Sequence, residues 1–166
     1  MQVASFGVGN SVKLPGQTLQ TPNRYEFDIV TYQEIYNDLK EKDEQFYRSI
    51  GILDMMARDI KVKPGPQKWQ NRQVEMGYFD VVVTFELRVM EIVVADLQSK
   101  NGNHPCVVIN MEVKDSAAEA QVAAPDALEL CSMIVKSEDW EEEIEDILAR
   151  FSSKTGRDMS YDICYQ

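Results

Sequence analysis

Residues 79–86 read FDVVVTFE and residues 107–115 read VVINMEVKD. Both stretches are short, rich in β-branched residues and apolar almost throughout, a pattern typical of strands that are buried on two faces. The second stretch ends on Asp115. Open α/β sheets place their reactive groups just beyond the carboxyl ends of their strands, so Asp115 is the best-placed reactive side chain in the sequence.

A helical pattern follows each of these strands. A stripe of apolar residues behind the first strand predicts a helix over 86–97. Ser116 and Glu119 have the spacing of a capping box, which places Asp115 at a strand-to-helix junction. Pro125 falls inside this second helix, where it should kink or split it at a cost of about 3 kcal/mol. Alternating strands and helices predict an α/β fold with three layers, an open parallel sheet flanked by helices.

The amino-terminal half has a different predicted pattern, with short strand and loop segments followed by two helices. Residues 3–6 are a short strand candidate, and residues 13–16 (KLPG) open a polar loop that runs to about Asn23. Residues 31–34 (TYQE) have capping-box spacing ahead of an amphipathic helix, and a shorter helix is expected over 52–58. Three features complete the pattern at the carboxyl end: Ser137 as a helix cap, Gly156 as a helix stop and residues 161–165 as an edge strand.

Length, hydrophobicity and net charge limit the classes of protein to which this chain can belong. A length of 166 residues favours a single domain over 1–166. No apolar run approaches the roughly 20 residues that cross a bilayer, and the amino terminus lacks the features of a signal peptide, so no membrane association and an intracellular location are expected. The net charge of −11 disfavours direct binding to nucleic acid.

Cysteine and histidine usage argues against a metal site. Three widely spaced cysteines form no CxxC pair, and His104 is the single histidine. A phosphate-binding cysteine loop needs an arginine six residues after the cysteine, because the arginine lowers the thiol pKa and holds phosphate oxygens. Cys106 is followed at that distance by Glu112, Cys131 by Ser137, and Cys164 lies two residues from the end, so none fits.

Each remaining candidate has two interpretations. Asp115 beside a bound phosphate would stay protonated and could protonate a leaving oxygen, or it could simply cap a helix. Lys13 and Pro15 could offer a charge and a flat apolar wall to a phosphate, or belong to an ordinary polar loop. Tyr47 and Met55 could line an apolar pocket, although residues at helical spacing more often belong to a core.

Several motifs together resemble one family: SFGVGNSVKLPG at 5–16, PNRYEF at 22–27, YNDLKEKD at 36–43, FDVVVTFELRV at 79–89 and EVKD at 112–115. The chain resembles the Ssu-type phosphatases of the RNA polymerase II carboxy-terminal domain, which act in mRNA 3′-end processing and share the fold of low-molecular-weight tyrosine phosphatases. The resemblance implies a nuclear or cytoplasmic cysteine-based phosphatase without a metal or other cofactor. Its substrate would be phosphoserine-proline with a cis peptide bond, and its partner a symplekin-like scaffold of the cleavage and polyadenylation complex.

The resemblance assigns roles by position. Asp115 would correspond to the general acid, Lys13 and Pro15 to the loop beside the substrate, and Tyr47 and Met55 to the pocket that receives a proline. The family begins with a strand, a CX5R loop and a helix that have no counterpart here, so the chain is expected to be truncated at its amino terminus and inactive alone. Two alternatives stay open: a non-catalytic domain that binds a phosphopeptide or scaffold, and an incomplete product that folds poorly.

Overall fold

The computed structural model describes residues 2–18, 20–72, 77–100 and 102–166. The chain divides into two compact units, Gln2–Gln73 and Val74–Gln166, called here the amino-terminal and the carboxy-terminal unit. A single domain over 1–166 stays a prediction. Within the described residues, no helix combines the length and the apolar character that crossing a bilayer requires.

A small hairpin opens the amino-terminal unit. Strand β1 (Val12–Leu14) pairs antiparallel with strand β2 (Asn23–Tyr25), so Lys13 stands in a strand and not in the polar loop expected from residue 13 onward. The loop proper covers residues 15–22, of which Leu19 lies outside the described residues. Gly16 is required there, because a Cβ at this position would lie 1.8 Å from the carbonyl oxygen of Thr21.

Two helices follow the hairpin, as the sequence predicts. Helix α1 (Tyr32–Ser49) begins at Thr31, whose hydroxyl accepts from the Glu34 amide while the Glu34 carboxylate accepts from the Thr31 amide. Helix α2 (Ile52–Asp59) comes directly after it. The core of the unit consists of buried residues from β1 and both helices: Leu14, Ile35, Leu39, Tyr47, Leu53 and Met56.

The strand expected over residues 3–6 is absent from the described structure. The β-type pairing nearest to it in the described residues is an isolated parallel bridge between Gly7 and Lys68. In that bridge the Gly7 amide donates to Gln67, and the Trp69 amide donates to Gly7. The facing segment contains two prolines, at positions 64 and 66, which carry no N–H to extend a ladder.

The carboxy-terminal unit is built on a mixed sheet of strands β3 (Val81–Thr84), β4 (Pro105–Met111) and β5 (Met159–Tyr165), in the order β3-β4-β5. Strand β4 is parallel to β3 and antiparallel to β5. The expected all-parallel sheet is therefore wrong at β5. Two consecutive helices separate β4 from β5 and return the chain to the end where β4 finishes, so the next strand must run backwards.

Helices lie against both faces of this sheet. Helix α3 (Leu87–Gln98) connects β3 to β4, and helices α4 (Ala117–Lys136) and α5 (Trp140–Thr155) connect β4 to β5. One face of β4 packs against α4 and α5, with a core of Val107, Ile109, Met111, Ala123, Leu130, Ile134, Ile144, Ile147, Leu148 and Phe151. Burial of each large apolar side chain contributes about 1.5–3 kcal/mol. Helix α3 contacts the strands without joining this core, which assigns it to the opposite face.

The burial expected for the two strands holds for one of them. Every residue of β4 after Pro105 is buried, as its apolar sequence predicts. Strand β3 is only half-buried until Thr84, because it forms an edge of the described sheet and β4 occupies the middle. The helix prediction over 86–97 is confirmed by α3.

The ends of α4 and α5 differ in one respect from the prediction. Ser116 caps α4 as expected, but the cap of α5 is Asp139, whose carboxylate accepts from the Glu142 amide at 3.4 Å. Ser137 instead closes α4 and donates its hydroxyl to Glu143. Gly156 ends α5 with a left-handed φ of 72°, as predicted.

Helix α4 runs without interruption through Pro125, which is exposed and was expected to kink or split it. The prolyl ring lacks the N–H that would bond to the preceding turn, so the helix forms with one backbone hydrogen bond fewer and is less stable for it.

We expect Pro125→Ala to raise the free energy of unfolding by about 1–3 kcal/mol in urea denaturation. The neighbouring exposed residue provides the control, since Ala124→Gly should lower it by about 1 kcal/mol. An unchanged or lower stability of Pro125→Ala would contradict this account.

Candidate functional site

Asp115 lies where the sequence predicts, between the end of β4 and the start of α4. Its side chain is exposed, and the next residue, Ser116, caps the helix by accepting from the Glu119 amide at 3.2 Å. The Ser116 amide donates to Lys114 at 2.7 Å, which turns the chain sharply at this point. Asp115 is therefore the last residue before the capped amino-terminal end of α4.

A polar network ties the carboxyl ends of β3 and β4 together, with Thr84 and Asn110 buried and Glu112 exposed. The Thr84 hydroxyl donates to Asn110 at 2.9 Å, and the Asn110 amide donates to the Glu112 carboxylate at 3.1 Å. Glu112 also accepts from the backbone amide of Leu87, the first residue of α3, at 3.2 Å. The segment that leads to Asp115 is thus anchored to the neighbouring strand and to the helix after it.

Our interpretation of the sequence did not identify this network. Thr84 and Asn110 are both 4% exposed, and each interrupts an otherwise apolar strand. Buried polar side chains are nearly always hydrogen-bonded, so two of them at the same edge of a predicted sheet indicate a mutual contact. That signal was available in the sequence.

The amino-terminal unit contains a groove of about 350 Å³. Lys13 and Met55, two of the predicted binding residues, both line it. Pro15 and Tyr47 are not among its lining residues. The walls combine mostly apolar and aromatic side chains with three charged ones: Phe6, Val12, Leu14, Phe27, Tyr32, Met55, Met56 and Pro66, together with Lys13, Asp59 and Lys63.

The two lysines of the groove differ in their surroundings. Lys13 projects from the exposed side of β1. Lys63 is partly buried, and its ammonium donates to the Ser5 carbonyl and to Gln67. Burial lowers the pKa of Lys63, and the nearby carboxylates of Asp59 and Asp28 only partly oppose this shift. Lys13 is therefore the more available cation for a ligand.

Tyr47 is connected to Pro15 by a third residue that the sequence did not single out. The Asn23 amide donates to the Tyr47 hydroxyl at 2.7 Å and to the Pro15 carbonyl at 2.9 Å. Tyr47 is 2% exposed and belongs to the core. Its contact with substrate stays a prediction, whereas its packing role is evident.

Asn23 is also the first member of a series of hydrogen bonds that includes charged side chains. The Lys42 ammonium donates to the side-chain Oδ1 of Asn23 at 3.0 Å and to the Asp38 carboxylate at 2.6 Å. Asp38 also accepts from the Tyr25 hydroxyl at 2.6 Å. Burial alone would raise the pKa of Asp38, but hydrogen bonds from Lys42 and Tyr25 and the Lys42 charge lower it. Burial and the Asp38 carboxylate raise the pKa of Tyr25. These ties fix the hairpin, and with it Lys13, on helix α1.

The groove can accommodate an apolar side chain with an anion beside it, and Asp115 is an exposed carboxyl that could exchange a proton. Among the described residues, no group of three or more His, Cys, Asp or Glu side chains is arranged to hold a metal ion. The three cysteines form no disulfide in the described residues, and the sequence around each matches no phosphate-binding loop.

A family model described as "Ssu72-like protein" matches residues 1–166. The chain belongs to the Ssu72 family. Curated relatives named as SSU72 phosphatases of the RNA polymerase II C-terminal domain confirm the assignment. The Xenopus laevis protein is 41% identical over 98% of this chain and 83% of its own length, and the Homo sapiens protein is 40% identical over the same shares.

Solved structures of Ssu72 proteins agree with the fold. One, concerned with modifications of the RNA polymerase II C-terminal domain, has a TM-score of 0.93 and 33% identity, and the match covers 98% of this chain and 84% of that chain. Another is Drosophila melanogaster Ssu72 with Symplekin, bound to a cis peptidomimetic phospho-Ser5 peptide. It has a TM-score of 0.91 and 32% identity over 98% of this chain and 84% of that chain.

The α/β fold expected from the alternation of strands and helices, and implied by the family resemblance, is confirmed by these matches. The expected loss of a first strand, loop and helix is not supported by them, because the matches cover 98–100% of this chain and 84–86% of the solved chains. Sequence reasoning therefore identified the family correctly, and the inferred truncation found no independent support.

Asn23 should be the residue on which the geometry of the groove edge depends. Asn23→Ala leaves the buried Tyr47 hydroxyl without its donor, so we expect a loss of about 1–3 kcal/mol in unfolding free energy, measured in urea. Tyr47→Phe removes the group left unpaired, so the double variant should lose less than the sum of the single variants. Asn37→Ala, at an exposed position of α1, is the control and should change stability by less than about 0.5 kcal/mol. Additive losses would show that the two residues do not interact.

Proposed function

We propose that this chain is a protein serine/threonine phosphatase domain directed at phosphoserine-proline sequences of the RNA polymerase II C-terminal domain, acting in transcription and mRNA 3′-end processing. Relatives that carry this activity in their names match nearly the whole chain. The observation that carries the proposal is the groove of the amino-terminal unit, where Lys13 stands beside an apolar and aromatic wall. An ammonium group and an apolar surface are what a phosphoserine followed by a proline requires.

Each site residue has a role in this proposal. The Lys13 ammonium offers a point charge to the phosphate, and Met55 provides apolar surface for the proline ring. Pro15 forms part of the loop beside the substrate, held through its carbonyl by Asn23. Tyr47 supports that loop from the core through the same asparagine. Asp115 is the general acid.

The reaction follows the chemistry of cysteine phosphatases. A thiolate attacks phosphorus and forms a cysteinyl phosphate, while the Asp115 carboxyl donates its proton to the departing serine oxygen. Water then hydrolyses the cysteinyl phosphate. No cysteine of the 166-residue chain has an arginine six residues later, so we expect no turnover from this chain as it stands.

Selectivity for a cis peptide bond would follow from the shape of the groove. A cis X–Pro bond is a minor conformer, about 10–30% in unfolded peptides, so a groove that fits it would select a small part of the substrate population. The Drosophila melanogaster relative was solved with a cis peptidomimetic, which supports the same preference here.

A second candidate function is binding without catalysis. It is favoured by the lack of a matching nucleophile together with an intact groove. In this case the chain would hold a phosphopeptide, or dock on a symplekin-like scaffold of the cleavage and polyadenylation complex in the nucleus. The Drosophila relative was solved together with Symplekin, which supports such a partner.

Binding and turnover can be measured on the same peptide. We expect the chain to bind a phosphoserine-proline peptide by calorimetry and to release no phosphate from it. Lys13→Ala should weaken binding about fivefold to tenfold, since it removes one exposed charge contact of about 1 kcal/mol. Lys61→Ala changes the net charge equally at an exposed position that does not line the groove, and it should leave binding unchanged.

Three results would count against the proposal. Equal weakening by Lys13→Ala and Lys61→Ala would mean that binding reflects net charge alone. Failure to bind the phosphopeptide would remove the groove as its site. Phosphate release at a rate proportional to the concentration of the chain would show that the inferred lack of a nucleophile is wrong.

A further inference from the structure

Two thiols face each other in the carboxy-terminal unit, at a place that neither the groove nor the strand-end network uses. Cys106 of β4 and Cys164 of β5 are register partners in the antiparallel pair. Both are buried, at 0% and 2% exposure, and no disulfide joins them in this structure. Partners in register project from the same face of a sheet, so these two side chains are direct cross-strand neighbours.

The hydrogen-bond pattern identifies the kind of pair. His104 and Gln166 exchange both of their backbone hydrogen bonds, at 3.1 and 2.9 Å. Pair types alternate along an antiparallel ladder, so Cys106 and Cys164, one step of two residues further in, also form a hydrogen-bonded pair. Such pairs have Cα atoms about 5.5 Å apart.

That separation is the usual one for a disulfide, whose Cα atoms are most often about 5.5–6 Å apart. The Cβ atoms fit less well, because cross-strand partners have them about 4.5–5.5 Å apart and a disulfide prefers about 3.8 Å. A bond formed here would pull the two strands together slightly. Strain of this kind makes a disulfide easier to reduce, which suits a reversible bond better than a permanent one.

We propose that Cys106 and Cys164 are an oxidative modification site, a dithiol that closes reversibly into a disulfide and locks the edge strand β5 onto β4. The third cysteine does not compete in the folded state. Cys131 belongs to α4, which covers the Val107 face of the sheet, whereas Cys106 projects to the opposite face.

The oxidant would be a low-molecular-weight disulfide such as oxidised glutathione. One cysteine thiolate attacks it, forms a mixed disulfide and releases one glutathione thiolate. The second cysteine thiolate then attacks the mixed disulfide and displaces the other glutathione. Two protein thiols are oxidised to one disulfide, one glutathione disulfide is reduced to two thiols, and the two protons pass to the released glutathione.

Access depends on the edge strand. Burial, and secondarily the charge of Asp162, raises the pKa of Cys164 to about 11, so the closed strand pair supplies little thiolate. Strand β5 lies at the edge of the sheet and exposes Tyr165 next to the cysteine. Local detachment of β5 would expose the thiol, and closure of the disulfide would then oppose further detachment.

The test is a redox titration of the full chain, and its outcome does not depend on phosphatase activity. The protein is equilibrated in buffers of graded oxidised to reduced glutathione, denatured in excess N-ethylmaleimide and analysed by mass spectrometry. We expect three alkylated thiols in reducing buffer. In oxidising buffer we expect one, with a disulfide-linked pair of peptides containing Cys106 and Cys164. Hydrogen exchange of the β5 amides should slow at least tenfold on oxidation.

Variants separate this pair from other thiol chemistry. Cys131→Ser should retain the disulfide, and Cys106→Val, which suits a buried strand position, should abolish it and the change in hydrogen exchange. Three alkylated thiols at every glutathione ratio in the wild-type chain would overturn the proposal. A disulfide that includes Cys131, or oxidation that leaves β5 exchange unchanged, would overturn it as well.

Discussion

The burial of β4 between two strands and two layers of helices is the constraint on which the carboxy-terminal unit depends. Every residue of this strand from Cys106 to Met111 is buried. Its backbone pairs with β3 on one edge and β5 on the other, while α4 and α5 cover the face that carries Val107. Because β4 is packed on its edges and faces, the position of its last residue, Met111, is fixed, and Asp115 follows that residue by four positions.

Hydrogen bonds between polar side chains at the end of β4 fix the path of the backbone as it leaves this buried strand. Asn110 cannot be buried without partners, and it finds them in Thr84 and Glu112. The Glu112 carboxylate in turn accepts a hydrogen bond from the backbone amide of Leu87, the first residue of α3. The same principle operates in the amino-terminal unit, where Asn23 satisfies Tyr47, Pro15 and Lys42 together. In both units one amide side chain determines how the backbone leaves a strand.

Patterns with a local physical cause were predictable from the sequence. The capping box at Thr31, the cap at Ser116, the stop at Gly156 and the burial of β4 all follow from near neighbours or from simple apolar runs. The family was also recognisable from its motifs. The direction of β5 was predicted wrongly although both helices before it were expected, because the general alternation of strand and helix was applied without following how two consecutive helices return the chain.

The candidate site residues show the same difference between local signals and tertiary context. Asp115 was predicted because position after a buried strand is a local signal. Lys13 was predicted within a family motif, and Met55 from an apolar grouping at helical spacing and from the family resemblance; their roles stay predictions. Asn23, Glu112 and the Cys106–Cys164 pair went unnoticed, since each owes its importance to a partner distant in sequence. Pro125 shows the reverse case, in which a strong local rule against proline is overridden by the packing of α4.

The proposed role of Asp115, as the general acid that follows the end of β4, can be tested directly through proton transfer. The chain, extended at its amino terminus by a CX5R strand-loop-helix segment, should release phosphate from a phosphoserine-proline peptide. Asp115→Asn in that form should lower kcat by about 10²–10⁴ on the peptide. The loss should be small on para-nitrophenyl phosphate, whose leaving group departs without a proton. Full peptide activity in the extended Asp115→Asn variant, or equal losses on both substrates, would contradict the assignment.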